Sequence, residues 1–264
     1  MSSMNIISGN AFNAITDIKF TKPKVNERGG KSIGILNTKD NKGFYLSTPL
    51  MLTWGVNRWE DDKTGTVSYD MVLQFPNEEY STPEIEAFLE NIKAYEQHIK
   101  DTAIANCKDW FGKAKMSTEL VEALMCPVLK YPKDKNTGEP DTSKKPTLKI
   151  KIPFWEGECK SEVYDVEQNL LFPNDDNTTI DSLITKGSNI ATVIQSGGIW
   201  YANGKFGTTF KLFQCIVKPR ENFKGKCQIT LSVNDKNKLI KEAEKEQEEE
   251  INVVEDSDDD ADYP

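Results

Sequence analysis

The sequence has a single histidine, His98, and five cysteines, and it has no apolar run near the ~20 residues that a membrane-spanning helix requires. Each scarcity excludes something. One imidazole in the middle of an expected helix leaves no Ser-His-Asp or Cys-His set to assemble, and no Gly-x-x-x-x-Gly-Lys-Ser/Thr run is present to cradle a nucleotide. Cys107, Cys126, Cys159, Cys215 and Cys227 are odd in number and scattered, without Cys-x-x-Cys spacing or adjacent histidines. Neither a disulfide framework nor a zinc site is expected; reduced, mostly buried thiols are. The acidic pairs Asp61-Asp62 and Asp175-Asp176 lie in turn-like contexts that lack the other ligands of a metal nuclease. The chain is therefore expected to be no enzyme and to hold no metal or cofactor. Met1-Ser2-Ser3-Met4-Asn5 lacks the basic and apolar regions of a signal peptide, so a soluble, intracellular protein with no membrane partner is expected.

Net positive charge is also lacking, since 42 acidic residues against 33 Lys and Arg leave the chain at −9, but the distribution of charge matters more than its sum. Lys241 to Pro264 holds 12 acidic residues against Lys241 and Lys245, a charge of −10; subtracting this from −9 leaves residues 1–240 at +1. Lys186 to Lys226 has seven basic residues and one acidic, Glu221, so a local positive surface on a near-neutral body is expected.

Hydrophobic alternation gives strands over Lys31 to Thr38, Gly43 to Thr48, Leu50 to Trp59 and Thr66 to Phe75, the last two joined as a hairpin by Asp61-Asp62-Lys63-Thr64-Gly65. Leu50, Leu52, Trp54 and Val56 on its first strand, and Val67, Tyr69, Met71, Leu73 and Phe75 on its second, are expected in the core. Ser81-Thr82-Pro83-Glu84 then combines a capping hydroxyl, a proline suited to the first turn and an acid for the positive helix end. Beyond it Ile85, Phe88, Leu89, Ile92, Tyr95, Ile99 and Ala103 step by three and four, which predicts an amphipathic helix to about Trp110. A shorter helix is expected over Thr118 to Met125. Pro132 to Pro146 reads as a mobile, lysine-bearing loop, a candidate contact for an anionic ligand, between short strands near Val128 and over Leu148 to Ile152. Ser188 to Ala202, Lys205 to Lys218 and Lys226 to Val233 resume the strand pattern. The fold class is mainly β with a helical insertion (α+β). It reads as an OB-fold-like antiparallel barrel over residues 1–237, with the helices inserted at about 82–125 and a disordered acidic tail over 238–264.

The sharpest local signal is Ile199-Trp200-Tyr201-Ala202-Asn203-Gly204-Lys205-Phe206-Gly207, because Asn-Gly between two strands marks a two-residue turn and fixes the register. Ala202 should face Lys205, Tyr201 should face Phe206, and Trp200 should face Gly207. Ile199, Tyr201, Phe206, Thr208, Phe210 and Leu212 then form the core side. Trp200, Lys205, Gly207, Thr209, Lys211 and Phe213 form the other, with an indole left uncovered by the bare glycine opposite it. Bases can stack on an exposed indole while lysines meet phosphates, so Trp200, Lys205, Lys211 and Phe213 are candidate single-stranded-DNA contacts, with RNA open to the same chemistry. A packing role is also open to Trp200. Arg58 and Trp59, out of phase with Trp54, and a basic rim of Lys218, Arg220, Lys224 and Lys226 complete the candidate set.

With these residues in view, the chain resembles the single-stranded-DNA-binding proteins of nucleo-cytoplasmic large DNA viruses, a family similar to the replication SSBs of short-tailed phages. The resemblance lies in Tyr45-Leu46-Ser47-Thr48-Pro49 with Trp54-Gly55-Val56, in Trp200 to Gly207 with Lys211-Leu212 and Lys218-Pro219, and in the acidic C-terminus. It implies an OB-fold, a homodimer, a role in viral DNA replication, recombination and repair, and a place at the viral replication site in host cytoplasm or nucleus, or in the virion. It further implies that the tail contacts replication proteins such as a polymerase or helicase-primase. Glu255, Asp256, Asp258, Asp259, Asp260, Asp262 and Tyr263 are the tail residues concerned; Tyr263 stands one place before the end, where such tails finish in an aromatic residue. The competing class is an acidic-tailed, histone-chaperone-like or virion interaction protein whose ligand is a basic protein.

Overall fold

The alternating runs do form strands, and the longest of them pair into a circuit. The computed structural model describes residues 4–27, 29–155, 157–174, 178–218, 227 and 229–242. Its main elements are β1 (Lys31–Ile33), β2 (Tyr45–Ser47), β3 (Met51–Glu60), β4 (Val67–Gln74), α1 (Pro83–Ala105), α2 (Cys107–Phe111), α3 (Thr118–Leu124), β5 (Thr147–Ile152), β6 (Glu162–Tyr164), β7 (Ser188–Ala202) and β8 (Lys205–Val217). The protein is mainly β with a few helices. β3 pairs antiparallel with β4, β4 antiparallel with β5, β5 parallel with β8, β8 antiparallel with β7, and β7 antiparallel with β3. β1 and β2 add to the free side of β7, and β6 to that of β8.

The inward positions of these strands, among them Met71, Leu73, Leu148, Ile150, Phe210, Leu212, Ile190 and Ile194, are buried together. α1 supplies the other wall of this core. Thr82 accepts a hydrogen bond from the Ile85 amide through its hydroxyl and Pro83 occupies the first turn, which fixes where the helix starts. Its buried side chains are Ile85, Phe88, Leu89, Ile92, Tyr95, Ile99 and Ala103, the positions given by the three- and four-residue steps. Each of the larger ones contributes on the order of 1.5–3 kcal/mol by leaving water. Tyr95 reaches deepest: its ring packs against Phe12, Phe44 and Phe210, and its hydroxyl meets those of Ser196 at 3.2 Å and Thr208 at 3.4 Å. Glu96, one position on, accepts hydrogen bonds from the Val128 and Leu129 amides and so ties the segment after α3 to the helix.

Two expectations fail. Leu50, Leu52 and Trp54 are exposed, and Met51 and Thr53 are buried in their place. The cause is a bulge: Trp54 and Gly55 together oppose Val72, between the pairs Thr53 with Leu73 and Val56 with Met71, so the inward phase of β3 changes there. Val56 therefore does turn toward the core, while the residues before it take the opposite phase from the one expected. Lys226 to Val233 is the second failure. Among its described residues none is in a strand, and residues 233–242 are helical, with the Ser232 hydroxyl accepting from the Asp235 amide at 3.2 Å. Ile229, Leu231 and Val233 are exposed; their alternation finds no ladder to pair with, and the Ser232 cap starts a helix instead.

By internal contacts the chain divides into residues 1–220, which hold all the elements named above, and residues 221–264, which include the 233–242 helix. No helix among the described residues is long and apolar enough to cross a membrane.

Candidate nucleic-acid interface

The β7–β8 hairpin has the register that its turn dictates. Asn203 and Gly204 both take positive φ, and Ala202 pairs with Lys205, Tyr201 with Phe206, and Trp200 with Gly207. Ile199, Phe206, Thr208, Phe210 and Leu212 are buried, and Lys205 and Lys211 are exposed on the opposite side. Trp200 differs from expectation in one respect. It is half-buried, not uncovered, because the missing side chain at Gly207 makes room for the indole to lie against the sheet; a Cβ there would stand 3.0 Å from Trp200 Cζ2. Its other cross-strand neighbour is the small, exposed Ser32 of β1, so the indole has a short residue on each side.

Further along β8 the outer surface becomes a polar row that runs from strand to strand. Asn57 of β3 pairs with Asp70 of β4, Asp70 with Lys151 of β5, Lys151 with Lys211 of β8, Lys211 with Gln195 of β7, and Gln195 with Tyr45 of β2. Asp70 accepts a hydrogen bond from the Asn57 amide at 3.2 Å and an ion pair from Lys149 at 2.6 Å, which occupies its carboxylate. Lys151 and Lys211 are both exposed and form no ion pair among the described residues. Phe213 is the extra residue of a β8 bulge, between the pairs of Val193 with Gln214 and Ile194 with Leu212. It packs edge-on to Tyr45, 5.2 Å between ring centres, and burial raises the Tyr45 phenol above its ordinary pKa. The row thus ends in an aromatic pair.

The β3–β4 hairpin brings a second group to this outer face. Trp59 is 59% exposed and stands opposite Ser68. Arg58 lies on the other side of this ribbon, opposite Tyr69; it is exposed and ion-paired with Glu60 at 2.8 Å, so part of its charge is already answered. Asp61 closes the turn by accepting from the Thr64 and Lys63 amides, and Asp134 does the same with the Thr137 and Asn136 amides in the loop before β5. These backbone donors hold both carboxyls below the usual carboxylate range. The loop over 132–146 is less available than its lysines suggest: Lys144 pairs with Asp141, and Lys145 donates to both carboxylate oxygens of Glu86 on α1.

Lys218 is exposed just beyond β8. Arg220, Lys224 and Lys226 lie outside the described residues, as do Glu255, Asp256, Asp258, Asp259, Asp260, Asp262 and Tyr263 of the tail. The structure brings Lys211 together with two lysines that the sequence reading passed over, Lys149 and Lys151; their Lys-x-Lys alternation in Leu148-Lys149-Ile150-Lys151-Ile152 was the available signal. Among the described residues, no cluster of three or more His, Cys, Asp or Glu is placed to hold a metal ion.

No protein-family model matches the chain, and no curated protein matches its sequence. Among solved structures it is similar to the single-stranded DNA-binding protein of bacteriophage Enc34 in complex with ssDNA, at 11% identity and a TM-score of 0.40, covering 77% of this chain and 97% of that one. It is likewise similar to gp2.5, a single-stranded DNA binding protein encoded by bacteriophage T7, at 12% identity and a TM-score of 0.40, covering 70% of this chain and 98% of that one.

Proposed function

We propose that this chain is a non-enzymatic single-stranded-DNA-binding protein whose strand circuit is an OB-fold-like barrel with the DNA on its outer surface. The observation that carries the reading is the pairing of Lys151 with Lys211. Like charges opposite one another on neighbouring strands destabilise a sheet, so two exposed lysines in register, neither in an ion pair among the described residues, are best explained by an anion that joins them. A phosphate backbone is such an anion, and it runs between aromatic residues on which bases can stack: Trp200 of β7 beside Gly207, Tyr45 and Phe213 at one end of the row, and Trp59 at the far side. The circuit's order, with one parallel pairing between β5 and β8 and two hairpin loops at residues 61–65 and 203–204, suits an OB-fold and its oligonucleotide-binding loops.

On this reading the protein coats ssDNA during viral DNA replication, recombination and repair in host cytoplasm or nucleus, works as a homodimer, and uses the acidic segment over 238–264 for regulation and for recruiting replication proteins. Membership in the nucleo-cytoplasmic large DNA virus family belongs to the same proposal, as does RNA as a second ligand. Titration with poly-dT at low and high salt, followed by tryptophan emission, tests the core of it. Salt-dependent quenching is expected; an emission spectrum unchanged at every DNA concentration would overturn it.

A further inference from the structure

Trp54 is 53% exposed on the outer face of β3, although the β-strand pattern places it among core positions. Its position is built, not accidental. The bulge at Gly55, with φ of 88°, pushes the residue before it out of the inward phase, and the backbone of residues 184–187 clamps the bulge on both sides. The Gly187 amide donates to the Thr53 carbonyl at 2.8 Å and the Val56 amide to the Ile184 carbonyl at 3.3 Å. Only glycine fits between them: a Cβ at position 55 would lie 2.9 Å from the Lys186 backbone nitrogen. The clamp carries Lys186 with it, and its ammonium stands 5.1 Å from the centre of the Trp54 ring. Lys186 is exposed and makes no ion pair among the described residues.

We infer that Trp54 and Lys186 form a nucleotide subsite in which a base of single-stranded DNA stacks on the indole and the adjoining phosphate takes the Lys186 ammonium. This rests on the DNA-binding reading above and adds a subsite to it. The register ties the pair to the lysines already described: Trp54 stands opposite Val72, and Val72 pairs with Lys149. Trp54 and Trp59 share the outer face of β3, opposite Val72 and Ser68, so their origins are four β4 residues apart, about 13 Å. Asn57 and Asp70 lie between them. A polyanion is favoured over a second copy of the chain by charge. A twofold contact would set this patch against itself, bringing Lys151 and Lys186, neither in an ion pair among the described residues, against the same two lysines. A strand of phosphates meets both favourably.

The test is a poly-dT titration of the full chain, by DNA anisotropy, across a salt series, with W54A, W54F, K186A and the wild type, each checked for an unchanged urea midpoint. Trp54→Ala should weaken binding by about 5- to 150-fold, the range for losing one base stack, while Trp54→Phe keeps the ring and stays within about threefold. Lys186→Ala should lower the slope of log affinity against log salt by about 0.7. Wild-type binding with normal affinity and slope in W54A and K186A would overturn the subsite and leave the DNA-binding reading intact. A wild type that does not bind at all would remove both. Loss of a dimer in W54A, seen by sedimentation with DNA affinity unchanged, would reassign the face to self-association and overturn the subsite.

Discussion

The indole of Trp200 occupies the space that a side chain at position 207 would need, with Cζ2 3.0 Å from where a Cβ would be. The pairing that leaves room for the ring also makes it part of the packing. Trp200→Ala should therefore weaken single-stranded-DNA binding by about 1–3 kcal/mol and lower stability by on the order of 1 kcal/mol, since half of the ring already leaves water in the folded state. Gly207→Ala should act mainly on stability, because its Cβ would also stand 3.1 Å from the Cys126 backbone oxygen. Urea midpoints and DNA affinities measured on both variants separate the two effects; equal affinity for Trp200→Ala and wild type would remove the ring from the interface.

Lys211→Glu gives a result of opposite sign in two assays. An acid at 211 faces Lys151 across the β5–β8 pair, which replaces repulsion with attraction and should raise stability by about 0.2–1 kcal/mol. The same change should weaken DNA binding more than about 10-fold at low salt and reduce the salt slope. Lys151→Ala and Lys211→Ala should each lower that slope by about 0.7. A stabilised Lys211→Glu protein that binds DNA normally would show that the lysine pair serves some other anion.

What could be read in the sequence was what a segment states about itself. The α1 positions from Ile85 to Ala103 repeat at the helical period, so the buried face is written locally. Asn203-Gly204 sets the β7–β8 register within eight residues, and the sides of the hairpin follow. The phase of β3 was misread because the bulge at Gly55 depends on the 184–187 backbone, more than 120 positions away in sequence. Lys151 gained its importance only from a parallel pairing with β8, which nothing in either strand encodes alone. For the same reason the Lys226 to Val233 alternation misled: a strand needs a partner, and the described residues there have none in a ladder.

Tyr95 and Cys215 should make the body sensitive to alkali. Burial pushes the Tyr95 phenol up from 10.0 to about 12, and burial together with the nearby Cys159 thiol pushes Cys215 up from 9.0 to about 12. Both groups hold their proton more tightly folded than unfolded, so their stabilisation is complete below the unfolded values and is lost as pH rises through the folded ones. Stability should therefore fall from about pH 9 for Cys215 and from about pH 10 for Tyr95, by roughly 4 and 3 kcal/mol respectively on reaching pH 12. Urea midpoints between pH 7 and 12 should decline accordingly. Tyr95→Phe should cost about 0.5–1.5 kcal/mol at neutral pH, through the lost contacts with Ser196 and Thr208, and flatten the decline above pH 10. A flat midpoint across this range would contradict the burial of both groups.

The acidic segment gives the last prediction. Residues 243–264 hold 11 acids and one lysine, a charge of −10, on a chain whose first 240 residues carry +1. Such a run of like charges is a polyanion carried on the same chain as the lysines of the candidate interface. Covalent attachment raises the effective concentration of these acids, to about millimolar where a linker is short, so on the proposed reading the segment competes with DNA. Deleting 243–264, which leaves the 233–242 helix in place, should therefore tighten poly-dT binding at low salt. The gain should fade toward 0.5 M salt, where the screening length falls to a few ångströms, on the order of 4 Å. If the segment recruits replication proteins, as proposed, the same truncation should abolish that recruitment. Affinities of full-length and truncated protein across a salt series decide the matter: equal values at every salt concentration would leave the segment a role in solubility alone.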